Sequence, residues 1–182
     1  MSSEETAGTF GGEIRGIVRT LVIALAIVLP VRFFIAQPFI VRGASMEPNF
    51  SDGEYLVIDE LSYRFHGPER GDVVIFRYPH DPKQFFIKRI IGLSGETVSI
   101  KEGYVFIRNK KGEDVQLNES YLSPKVLTIS DEVVTLELGD FFVLGDNRSS
   151  SSDSRVWGVL NERYFVGRAF IRLFPPGRIT IF

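Results

Sequence analysis

Phe85-Phe86-Ile87-Lys88-Arg89-Ile90-Ile91 is the stretch on which the reading of the fold turns. The run reads as a β-strand. Its period of two sets Phe86, Lys88 and Ile90 on one face and Ile87, Arg89 and Ile91 on the other. The Lys88 ammonium is thereby projected among apolar neighbours. To act as a base near neutral pH, the amine must fall from about 10.4 by roughly 2 to 3 units, a cost of about 3 to 4 kcal/mol that the fold has to supply. The plainer outcome for a lone strand lysine is to snorkel to water or pair with an acid.

Further strand-like runs lie on both sides of this one, at residues 54–59, 72–78, 97–100, 104–108, 133–138, 141–144, 165–174 and 178–182. A glycine followed by an acidic residue recurs at Gly53-Glu54, Gly71-Asp72, Gly95-Glu96, Gly112-Glu113 and Gly139-Asp140. These pairs are turn punctuation, and the sequences between them share no period, so they do not mark a repeat. Residues 109–131 are more polar and form a peripheral loop or hairpin insertion. The expected architecture is mainly β, with a coiled sheet as its body.

Composition agrees. A chain of 182 residues with 44% hydrophobic and 24% charged content buries one ordinary core. Its sixteen Phe and seventeen Gly against one Trp suit short strands joined by tight turns. A formal net charge of -2 gives no basic field, so nucleic acid is not an expected partner. With no cysteine there is neither a disulfide framework nor a thiolate metal site, and location is left open.

Residues 1–15 read as a mobile tail. Residues 16–36 turn apolar and reach the roughly 20 residues that a spanning helix needs, provided Arg19 and Arg32 lie near the interfaces. A single-pass transmembrane anchor in the lipid bilayer is the first reading. A signal peptide is the rival, but no small-x-small cleavage site precedes Gln37. Arginines flank the segment on both sides, so charge does not orient it.

Two further places carry chemistry. Ser45, between Gly43-Ala44 and Met46-Glu47-Pro48, sits where a substrate backbone can approach closely. Most serines in small-residue turns are structural. A base is needed, and His66 and His80 both lie in Gly/Pro turns that suit a positioned base poorly. The other place is residues 145–155, Gly-Asp-Asn-Arg followed by four serines, Asp153, Ser154 and Arg155. Such a run is ordinarily a solvated linker. Held between an apolar strand and Val156-Trp157-Gly158, its charges and hydroxyls can pair instead.

These blocks, in this order, resemble the bacterial type I signal peptidase (leader peptidase) family of serine–lysine proteases. The resemblance rests on Gln37-Pro38-Phe39, Ser45-Met46-Glu47-Pro48, residues 70–76, Phe86 to Leu93, and Gly145-Asp146-Asn147-Arg148 with Ser151, Asp153, Ser154 and Arg155. It implies Ser45 as nucleophile, Lys88 as general base and Ser151 as the hydroxyl that orients the amine. It also implies Arg89, Asp153 and Arg155 as a supporting ionic cluster. No metal or other cofactor is implied. The substrates would be signal-peptide-bearing precursor proteins, bound as an added strand with small residues at -1 and -3 in shallow apolar pockets. Phe39, Met46, Phe86 and Ile87 are the candidate walls.

The implied organisation is an anchor over 16–36 and a β-rich catalytic domain over 37–182. Within it, about 97–138 form a reduced second β subdomain. The catalytic body lies on the extracytoplasmic side of the cytoplasmic membrane. The chain departs from the family pattern at Asn49, where Thr is usual, at Ser94-Gly95-Glu96, and at Gly43, where many members carry a Ser that serves the oxyanion hole. The hole then rests on the Ser45 N–H and a main-chain donor near Gly43. Two alternatives compete: a self-cleaving serine–lysine repressor-type protease, disfavoured because a membrane segment stands where a DNA-binding domain would, and a non-enzymatic membrane-tethered β adaptor.

Overall fold

The structure is a computed structural model that describes residues 5–34, 36–109 and 111–182, with side chains placed for residues 12–26, 28, 38–109 and 111–182. Helix α1 (Glu5–Phe34) is followed by strands β1 (Ala36–Ile40), β2 (Tyr55–Asp59), β3 (Val73–Tyr78) and β4 (Asp81–Gly92). Next come β5 (Thr97–Lys101), β6 (Tyr104–Arg108), β7 (Asp114–Gln116), β8 (Glu132–Thr135) and β9 (Asp140–Leu144). The one-turn helix α2 (Ser154–Trp157), β10 (Leu160–Asn161), β11 (Phe165–Phe174) and β12 (Thr180–Ile181) complete the described α-helices and strands. The fold is mainly β.

Helix α1 includes residues 5–15, which were expected as a tail; a helix once nucleated extends cheaply into a neighbouring stretch. Among the described residues no helix is long and apolar enough to cross a membrane. The side chains of Ile27 and of residues 29–37 lie outside the described residues, and with them the later part of the expected anchor. Of those described, Ile17, Val18, Leu21, Val22, Ile23 and Leu25 are all exposed.

Two antiparallel sheets make the body. The larger runs β1-β2-β11-β3-β4-β9-β10, with β12 added to β11, and the smaller runs β7-β6-β5-β8. Strand β4 is central to the larger sheet, pairing Val74 with Lys88 and Ile75 with Ile87 on one side and Leu144 with Arg89 on the other. Both faces of the sheet are covered. Ile87 joins the cluster of Val41, Met46, Phe50, Leu56 and Ile58, while Phe86 and Ile90 pack into the opposite cluster with Val74, Phe76 and Val143. The alternation expected for this run is therefore realised in packing. Where β4 hands the chain to the smaller sheet, a Cβ on Gly92 would stand 2.3 Å from Val98 Cγ2, so only hydrogen fits there.

Several boundaries move. β4 begins at Asp81 rather than at 85, because Tyr78 pairs with Asp81 and the turn closes over two residues instead of six. The run expected at 133–138 is a strand only over Glu132–Thr135, since β5 offers partners no further and Leu138 is 92% exposed. β1 occupies residues assigned to the end of the anchor and its approach; it pairs with β2 from Ala36↔Asp59 to Ile40↔Tyr55.

Candidate active site

Lys88 is 3% exposed, because the strand that carries it is covered on both faces. Its Nζ stands 2.8 Å from Ser45 Oγ and donates to the Ile87 carbonyl at 2.8 Å. The Phe86 ring lies 5.3 Å from the same nitrogen. Burial pushes the amine down to about 8, against the opposing pull of Asp153 and Asp146, which raise it. Strand position and desolvation together thus turn an ordinary lysine into one that gives up its proton not far above neutral pH.

Ser45 reaches this amine on a loop pinned from below and from the side. Met46 is fully buried and Phe50 nearly so, which roots the loop in the core. Ser45 O accepts from Asn147 N–H at 3.0 Å and Ala44 O from Asn147 Nδ2 at 3.1 Å. The loop after β9 approaches so closely that a Cβ on Gly145 would meet Ser45 O at 2.4 Å and Ser151 Oγ at 2.2 Å.

The expected ionic cluster resolves into two separate pairs. Asp153 takes both Arg155 Nε and Nη2 at 2.8 Å and the Gly145 N–H at 3.0 Å. Burial alone would raise its carboxyl, but Arg155 and the Gly145 N–H outweigh burial and hold it below the usual range. Arg89 pairs not with Asp153 but with Asp146, through Nε at 2.8 Å and Nη2 at 2.6 Å. The Asn49 amide also donates to Asp146, at 2.8 Å, and the Arg89 guanidinium lies 4.1 Å over the Tyr121 ring. Arg148, nearly buried, donates to Gly145 O and pairs with Glu119 and Thr128.

A cleft of about 520 Å³ opens beside the Ser45–Lys88 pair, walled by Phe39, Ile40 and Val41 on one side and Phe85, Phe86 and Ile87 on the other, with Leu56 and Ile75 also lining it. Its lining is mostly apolar. Phe39 meets Phe85 edge-on at 5.2 Å. Of the four candidate wall residues, Phe39, Phe86 and Ile87 line this cleft. Met46 does not line the cleft; it points into the core, because the residue after Ser45 turns inward with the loop.

Two other expectations change. The Gly43 N–H donates to Asp52 Oδ1 at 2.7 Å and is not free for an oxyanion, whereas the Ser45 N–H has no acceptor among the described residues. Ser151 Oγ is buried and does not bond the Lys88 amine, standing instead beside the Asp153 carboxylate that it helps to lower; the second partner of Lys88 is its neighbour's carbonyl. Neither histidine lines the cleft.

Residues 14–174 match the family model described as signal peptidase, peptidase S26. The chain belongs to the signal peptidase family. A "probable signal peptidase I-1" of Synechocystis is 38% identical over 165 residues, covering 87% of this chain and 81% of the relative. "Signal peptidase IB" of Staphylococcus aureus is 30% identical over 168 residues, covering 86% and 87%. A solved signal peptidase I from Enterococcus faecalis is 31% identical, covers 57% of this chain and 97% of its own, and superposes with a TM-score of 0.48. The chain is accordingly a serine endopeptidase of the signal peptidase type, and the non-enzymatic adaptor falls away.

Sequence reasoning missed Asp146 as the partner of Arg89, Asn49 as its second donor, and Ile40, Val41, Leu56, Ile75 and Phe85 as cleft walls. Asp146 was within a quoted motif. Its pairing was hidden because the partners lie 57 and 97 residues away.

Proposed function

We propose that the chain removes signal peptides from exported precursors by acyl transfer through Ser45 and Lys88. It would do so from a body held at the extracytoplasmic face of the cytoplasmic membrane by α1. The observation that carries this reading is a buried amine, lowered to about 8, at 2.8 Å from a serine hydroxyl at the wall of an apolar cleft. At pH 7 a group of that pKa is neutral roughly one time in ten, enough to take a proton without a histidine. The exposed apolar residues of α1 support the anchor, since such a surface is costly in water and favourable in lipid.

In the proposed reaction neutral Lys88 takes the Ser45 proton as Oγ attacks the scissile carbonyl. The Ser45 N–H faces the developing oxyanion. Lys88 then hands its proton to the leaving amine, and water, deprotonated by the same lysine, hydrolyses the ester. Among the described residues β1 pairs only with β2, which leaves its other edge for an extended peptide lying between it and β4. Small residues at -1 and -3 suit walls set by Phe39, Phe86 and Ile87. The deciding experiment incubates the parent and Ser45→Ala with a precursor and sequences the product N-terminus. We expect a new N-terminus with the parent and none with the variant; equal turnover would end the proposal.

A further inference from the structure

The segment that ends the chain grips the loop that carries Ser45. Glu54, 2% exposed, is held by Arg172 Nε at 2.8 Å and by Arg178 Nη1 at 2.8 Å. Arg172, on β11, also donates to the carbonyl of Asn49, and its guanidinium lies 5.1 Å from the Phe50 ring and 5.2 Å from the Phe182 ring. Phe50 and Phe182 are themselves 4.7 Å apart. Arg178 donates to Ser51 Oγ at 2.9 Å and to Pro48 O at 3.2 Å. The loop's carbonyls at 48 and 49 and its hydroxyl at 51 are thus all taken by two arginines of the last eleven residues.

None of these groups lines the cleft or touches the Ser45–Lys88 pair. A buried carboxylate with two guanidiniums is expensive to assemble and is a poor way to gain stability, since an apolar replacement would do as well. It is a good way to impose geometry: besides its charge contact to Glu54, each guanidinium donates to the loop itself, Arg172 to Asn49 O and Arg178 to Ser51 Oγ and Pro48 O. Resting on the reading of Ser45 as nucleophile, we infer that Arg172, Arg178 and Glu54 form a clamp that sets where Ser45 Oγ stands relative to Lys88. Arg172 and Arg178 are positioning residues, acting through the Pro48–Ser51 backbone. The opposite side of the loop is fixed by Asn147 and its underside by buried Met46 and Phe50, so the clamp supplies a third support.

The test uses the full chain in detergent micelles and a peptide spanning a signal-peptide cleavage site. Arg178 is 42% exposed, so Arg178→Ala leaves no buried cavity. Its kcat is expected to fall roughly tenfold, the order that sub-ångström misplacement of a reacting group produces. KM should stay within about twofold and the melting midpoint within about 3 °C. Because the clamp acts on the hydroxyl and not on the amine, the acid midpoint of the pH–rate profile should stay near 8. Arg178→Lys, which keeps one contact to Glu54, should recover part of the loss. Unchanged kcat in Arg178→Ala overturns the clamp, as does a loss that tracks the unfolded fraction or one accompanied by a moved pH midpoint. Ser45→Ala is run in parallel: if it still cleaves, the nucleophile reading fails and the clamp with it, whereas an inactive Ser45→Ala beside a fully active Arg178→Ala sinks the clamp alone.

Discussion

Lys88→Met should make the protein inactive and, at neutral pH, more stable. The Lys88 amine falls from 10.5 to about 8 in the fold, which at 1.36 kcal/mol per pH unit is a penalty of about 3 kcal/mol for carrying its charge. Below pH 8 the folded and unfolded chains both hold the proton, so the penalty is present in full. Between pH 8 and 10.5 only the unfolded chain holds it, so stability rises with pH across that window. Above 10.5 neither does, and the penalty is gone. Methionine fills a similar volume without charge but loses the contacts to Ser45 Oγ and Ile87 O, worth about 1 kcal/mol each. The variant is therefore expected to be roughly 1 kcal/mol more stable than the parent at pH 6 to 7 and roughly 2 kcal/mol less stable above pH 10.5. Urea unfolding in detergent, followed by the single tryptophan, Trp157, which packs 5.8 Å from Phe76, measures both. Comparing two variants at each pH cancels the other titrations. A stability difference that keeps one sign and size from pH 6 to 10.5 would refute the account of a desolvated amine.

Three further outcomes follow from the same geometry. Lys88→Arg should abolish cleavage while the far-UV circular dichroism stays that of the parent, because a guanidinium cannot lose its proton; measurable turnover at pH 7 would remove Lys88 as base. Asp146→Asn removes one of the two carboxylates that raise the lysine and leaves Arg89 uncompensated beside it, so the acid midpoint of kcat/KM should move below about 8; a move upward contradicts the electrostatics. Gly145→Ala puts a methyl 2.4 Å from Ser45 O, which as backbone cannot step aside. It should destabilise by about 1 to 3 kcal/mol and slow turnover at least roughly tenfold, both read against the parent in the same detergent.

Local pattern carried much of the fold. The alternation of Phe86, Ile87, Ile90 and Ile91 was enough to predict β4 and the two faces it serves, since side-chain period depends on backbone geometry alone. Turn chemistry likewise located the strand ends to within a few residues, missing where a partner strand rather than a turn residue decided the limit, as at Asp81 and Thr135. β1 was missed as a strand because its five residues have no signal of their own and acquire one only by pairing with β2.

The family was readable from residue types and their order, and the same order put Ser45 and Lys88 forward as the candidate pair. What order could not supply was which charge meets which. Arg89 was assigned to the Asp153 group, yet its partner is Asp146, brought there by the β4–β9 pairing, and Ser151 was given a bond to the amine that the loop's path does not make. The direction of Met46, the occupied Gly43 N–H and the grip of Arg172 and Arg178 on the Ser45 loop are of the same kind. Sequence determines the chemistry each side chain has to offer and the face of its own element on which it stands. Distances between residues 40 to 130 positions apart are decided only when sheets close and exclude water, and it is that exclusion that lowers Lys88 while Lys83, Lys101, Lys111 and Lys125 stay on the surface.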